Sequence, residues 1–104
     1  PGIDTAITIQ SCRNVVISDI IIEEIMTTPG ISIDASNVHI KDSWISNKGI
    51  AIYATNLSKV TSKNNIGINN IIVLKANNGS FIYKIGDQPF GDIQQETETG
   101  GYIF

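Results

Sequence analysis

Four residues able to do chemistry recur at matching places in this chain. Gln10, Asp34, Tyr53 and Lys75 each follow a pair of alternating aliphatics: Ile7 and Ile9, Ile31 and Ile33, Ile50 and Ile52, Ile72 and Leu74. If those pairs stack, an amide, a carboxylate, a phenol and an ammonium form one outward row. Such a row can bond to sugar hydroxyls, and the tyrosine can lie against a sugar ring. The plainer reading is that outward positions of any stacked scaffold must be polar. Asp34 is the best single acid or base, but glycoside hydrolysis needs two carboxylates roughly 5–10 Å apart, and this row offers one. Asp19 and Asp42 fall in a second column about one coil apart, at a bend where aspartate is also favoured for turn reasons.

The remaining candidates are weaker. Cys12 is the single cysteine and His39 the single histidine. Neither has a partner at metal-ligand or thiol–base spacing, so no metal and no cofactor is expected. Glu23 and Glu24 share the longest inserted loop, Glu23 to Pro29, a place where function concentrates on rigid scaffolds. The triplets Asn56-Leu57-Ser58 and Asn78-Gly79-Ser80 match a glycosylation signal but belong to a column of turn asparagines. Val16, Ile21 and Trp44 are outward and apolar by alternation, so they mark a covered surface. Tyr102 and Phe104 at the far end are a closing strand or a contact with another chain.

The elements that would position these residues come from a repeat. First strands align at Ala6–Asn14, Gly30–Asn37, Gly49–Asn56 and Ile71–Asn78, about 20 residues apart. Two aliphatic columns point inward at period two. A small residue follows (Ser11, Ala35, Ala54, Ala76), then Cys12, Ser36, Thr55 and Asn77, then Asn14, Asn37, Asn56 and Asn78. Asparagine suits a left-handed turn, and stacked amides can bond as a ladder. Second strands run Val15–Ile17 and Val38–Ile40, with short third strands near Ile22 and Ile45. The third unit fits only with a bulge near Leu57. Branched aliphatics disfavour helix here. Pro29 before Gly30 reads as a turn that resets the next strand.

Composition bounds the rest. The chain has 104 residues, 41% hydrophobic and 16% charged, enough to bury one core. A net charge of −3 and 7% aromatics argue against a nucleic-acid surface. No apolar run is long enough to insert in a membrane. The absence of an initiator methionine suggests a piece of a longer protein. The expected fold is all-β, a right-handed parallel β-helix of about four coils over residues 1–85, with 86–104 as a C-terminal loop, cap or inter-subunit segment.

The pattern G-I-x-I-x-A-S-N-V-x-I-x-x-x-x-I resembles the repeat of right-handed parallel β-helix proteins, the pectate-lyase-like family, over residues 6 to about 85. Polysaccharide lyases, glycoside hydrolases and trimeric phage tailspikes share that repeat. The resemblance implies a surface polysaccharide as ligand, a homotrimer, and a place on a virion or outside the cell. Calcium-assisted elimination would need converging carboxylates and a base arginine. Arg13 is the sole arginine and sits in a turn, so the expected activity is recognition by a tailspike-like appendage. A secreted lyase or hydrolase, or a purely structural solenoid, is the alternative.

Overall fold

The computed structural model describes residues 6–104; the lead-in expected at residues 1–5 lies outside them. The described residues form twelve strands, numbered in chain order, and no helix. A first sheet has the order β1 (Ile7–Gln10), β4 (Met26–Asp34), β7 (Lys48–Thr55), β9 (Asn70–Ala76), β11 (Gly91–Thr97). A second runs β2 (Val15–Ser18), β5 (Asn37–Lys41), β8 (Lys59–Lys63), β10 (Phe81–Ile85), β12 (Tyr102–Ile103). The pair β3 (Ile21–Ile22) and β6 (Trp44–Ile45) makes a third. All pairings are parallel, and the chain is a parallel β-solenoid of about four turns.

Alternation along each strand builds the core. In the first sheet Ile9, Ile33, Ala54 and Ala76 are buried, as are Ile31, Ile52 and Leu74. In the second sheet Val38, Val60 and Ile82 stack in register and are buried, with the half-buried Val15 and Ile103 at the two ends. These residues belong to one continuous apolar cluster. Each buried aliphatic contributes about 1.5–3 kcal/mol of transfer free energy, and stacking lets neighbouring coils share that burial.

The register differs from the sequence alignment by two residues at one step. Ile7 pairs with Ile31 as expected, and Ile50 with Ile72. Ile31, however, pairs with Ile52, while Ile50 pairs with Pro29. Buried Gly30 is therefore set beside Ala51, and a Cβ on it would come within 2.9 Å of the Ala51 carbonyl oxygen. The third coil restores the register at its corner with an additional left-handed residue. Asn56 and Leu57 both have positive φ (55° and 62°) where the second coil uses Ala35 alone (49°). The pairing changes by one residue there, from Asp34 with Thr55 to Asn37 with Lys59, which undoes the slip between Met26 and Pro29; Val60 takes the second-strand place beside Val38, while Leu57, expected to fill such a place, is exposed at the corner. Pro29 and Gly30 lie inside β4 and not in a turn. Pro29 pairs with Ile50 of β7 at the point where the β4–β7 register slips, a place where a strand accepts proline.

Corners are made by left-handed residues. One corner uses Asp19, Asp42, Asn64 and Gly86 in successive coils, with φ between 53° and 67°. Short polar side chains or no side chain suit this conformation. Buried hydroxyls hold the coils together at another corner. The Cys12 amide donates to Ser36 Oγ (2.9 Å), the Ser36 amide to Ser58 Oγ (3.1 Å) and the Ser58 amide to Ser80 Oγ (3.0 Å). The ladder position expected for Thr55 and Asn77 is therefore filled by Ser58 and Ser80.

Residues 86–104 extend both large sheets. Gly91, Ile93, Gln95 and Glu96 pair with Asn70, Ile72, Leu74 and Lys75, and Tyr102 pairs with Phe81. Alternation is hidden in this segment because Gln95 and Thr97 occupy the columns of Leu74 and Ala76.

Candidate functional site

The row expected on the first sheet divides into two columns because of the register offset. Gln10 stacks on Asp34 and then on Thr55, not on Tyr53. Tyr53 stacks on Ser32 below and Lys75 above, and Glu96 follows. Both columns are internally bonded. Asn56 Nδ2 donates to Asp34 Oδ1 (2.9 Å), and Asn78 Nδ2 donates to Asn56 Oδ1 (3.0 Å). The amide ladder thus runs Asp34–Asn56–Asn78; Asn37 instead begins β5.

Tyr53 Oη accepts from Asn77 Nδ2 (2.8 Å), and the Lys75 ammonium stands 5.9 Å from the Tyr53 ring centre. Lys75 Nζ also bridges Glu96 (2.9 Å) and Glu98 (3.2 Å). Its hydrogen bond to Glu96, with the second to Glu98, raises its pKa despite partial desolvation. A face whose donors and acceptors are spent on one another has little left for a ligand. Glu96 and Glu98 were not legible as partners in the sequence, because their segment does not show its alternation.

Asp19 and Asp42 do occupy one corner column, as expected. Their amides donate to the carbonyls of Lys41 and Lys63 on the next coil. Their left-handed backbone explains the residue type without catalysis. Asp19 also accepts from Ser18 Oγ (2.9 Å). Cys12 is exposed, with Sγ near the Gln10 carbonyl oxygen (3.2 Å). Among the described residues no group of three His, Cys, Asp or Glu side chains converges as a metal site would require.

The outward face of the second sheet is different in kind. One column reads Asn37, Lys59, Phe81, Tyr102, and the next reads Val16, His39, Thr61, Tyr83. Phe104 joins the second column, its carbonyl accepting from the Lys84 amide. Between the columns runs an open groove lined by Asn37, Lys59, His39, Thr61 and Tyr83. His39 Nε2 is buried with no hydrogen-bond partner. At the C-terminal end four rings stack: Tyr83 on Phe104 (centres 5.0 Å apart, planes 22° apart) and Phe81 on Tyr102 (5.7 Å, 25°). Neighbouring strands are displaced along the solenoid axis, so rings stacked across them turn their edges outward.

The apolar surface residues separate onto two sides. Val16, Tyr102 and Phe104 belong to the second-sheet face. Ile21 and Trp44 pair across β3 and β6, and Ile66 extends that row through a bridge to Trp44. Ile21 is 71% exposed and Ile66 48%, while Trp44 is half-buried and its Nε1 has no partner.

Lys48 is a feature that sequence reading missed. It is 1% exposed, its stem lies against buried Gly30, and Nζ donates to the Glu24 carbonyl. Burial lowers its pKa, and the Glu24 carboxylate partly restores it. A lysine beside a glycine gives no pattern signal for such a position.

No helix is long and apolar enough to cross a membrane among the described residues. Comparison with protein-family models, with curated proteins and with solved structures gave no match, so the functional reading rests on the geometry of this chain.

Proposed function

We propose that this chain is a non-catalytic stretch of a β-helical surface appendage, tailspike-like and trimeric, that holds a polysaccharide on the outward face of its second sheet. One observation carries the reading. The groove residues Asn37, Lys59, His39 and Thr61 make no side-chain hydrogen bond or ion pair among the described residues, whereas Tyr53, Lys75 and Asp34 on the first sheet are occupied by neighbours. Unspent amide, hydroxyl and ammonium groups beside aromatic carbon are what a sugar chain needs, and a rigid scaffold keeps their spacing at about 4.8 Å per coil.

The reading places the protein on a virion or outside the cell. An array of immobilised polysaccharides tests it. The wild-type chain is expected to be retained by a subset of glycans, with Tyr83→Ala weakening retention about tenfold, the loss of one good aromatic contact. Retention by no glycan at all would end the proposal.

A further inference from the structure

The charges of this chain are segregated by face. It carries ten acidic residues against seven Lys and Arg. Yet β2, β5, β8, β10 and β12 contain no Asp or Glu, while Lys41, Lys59 and Lys63 lie on them. Lys41 and Lys63 are register partners in one column, and Lys59 flanks the groove beside His39 and Thr61. None of these three lysines has a carboxylate partner among the described residues, in contrast to Lys75. Asp19, Asp42 and Asp87 stand past the ends of β2, β5 and β10, off the strands themselves. The ring edges at the C-terminal end add to the same sign, because the edge of an aromatic quadrupole is positive.

We infer that the ligand of the second-sheet groove is an anionic polysaccharide, its carboxylate or sulfate groups met by Lys59 and by the Lys41–Lys63 pair while its hydroxyls meet Asn37 and Thr61. The inference rests on the glycan reading above and narrows it to one chemical class. An acidic protein repels a polyanion at long range, so attraction must come from a local concentration of cations. The second-sheet face supplies it: Lys59 lines the groove, while Lys63, four residues further along the same strand and about 13 Å away, lies beyond it with Lys41 about 4.8 Å from Lys63. A single-stranded nucleic acid is the competing polyanion. It binds through bases stacked on exposed ring faces; the stacked pairs Tyr83–Phe104 and Phe81–Tyr102 occupy one face of each ring, and the oligothymidylate arm of the test decides between the two polyanions.

Titration calorimetry at low salt with three probes tests this: polygalacturonate as a polyuronate, dextran as a neutral glucan, and a single-stranded oligothymidylate. The expected result is binding of polygalacturonate, weakening as salt is raised, with dextran and oligothymidylate at least tenfold weaker. Lys59→Glu with Lys63→Glu is expected to weaken polygalacturonate binding at least tenfold. Both positions are exposed, and an unchanged melting temperature confirms the fold. Dextran binding as tightly as polygalacturonate would overturn the anionic assignment and leave the glycan reading standing. Binding of oligothymidylate alone would overturn both, as would binding of none of the three together with an empty polysaccharide array. Polygalacturonate binding untouched by the double substitution would remove the site from this face.

Discussion

Ser58 shows what a single hydroxyl does in this scaffold. It is fully buried, accepts from the Ser36 amide and donates its one proton to the Thr55 carbonyl (2.7 Å), with the Ile33 carbonyl 3.2 Å away. Ser58→Ala leaves the buried Ser36 amide without its acceptor, while the Thr55 carbonyl keeps the Ala35 amide, so a loss of about 1–3 kcal/mol is expected in urea unfolding. Asn56→Ala, on the exposed amide ladder, should cost no more than about 0.5 kcal/mol. Equal costs would refute the distinction between buried and exposed ladders.

Two lysines act in opposite directions with pH. The Lys75 pKa is raised by Glu96 and Glu98, so its stabilisation is complete below the unfolded value of 10.5 and is lost as pH rises through the folded value. The Lys48 pKa is lowered by burial, so the folded state carries a penalty at neutral pH that is relieved as pH approaches 10.5. Lys75→Met should flatten the alkaline fall of the urea midpoint. Lys48→Met, which keeps the stem, should be at least as stable as wild type at neutral pH and lose that advantage on the way to alkaline pH. A Lys75→Met profile parallel to wild type above pH 10.5 would show that the pair with Glu96 contributes nothing.

At the scale of elements, close approach decides which residues are replaceable. Gly67 follows Ile66, the residue that bridges to Trp44. A Cβ on it would lie 1.8 Å from the Ile45 carbonyl oxygen, a backbone atom that cannot move aside. Gly67→Ala is expected to cost more than about 3 kcal/mol. Gly100 also has positive φ, at 74°, but the nearest atom to its added Cβ is 3.7 Å away. Gly100→Ala should therefore cost only the left-handed backbone strain, about 1–2 kcal/mol. Thermal melts of the two variants make the comparison, and a small effect at Gly67 would mean that the third side is looser than described.

For the whole molecule, the uncovered row Ile21–Trp44–Ile66 and the proposed trimer belong together. Light scattering at micromolar concentration should give a mass above the 11.3 kDa of one chain, and Ile21→Lys with Ile66→Lys should return it to one chain. Apolar rows of this kind on a surface are ordinarily covered. A strictly monomeric wild type would dismiss the oligomer.

The solenoid is legible in the sequence, because one face of every strand must be apolar and the columns of isoleucine, valine and alanine recur once per coil. Several turn residues are legible for the same local reason: Asp19, Asp42, Asn56 and Asn78 tolerate a left-handed backbone that most residues resist. Which side chains share a column was not local. It depended on the length of the whole turn, which sets Ile31 on Ile52 and not on Ile50, and with period-two strands a shift of two residues preserves every inward position while giving each outward residue a new neighbour. The isoleucine pattern therefore survived the shift, while Tyr53 and Asp34 were parted, and tertiary packing alone decided that the first-sheet polar groups satisfy one another and the second-sheet groups remain unspent.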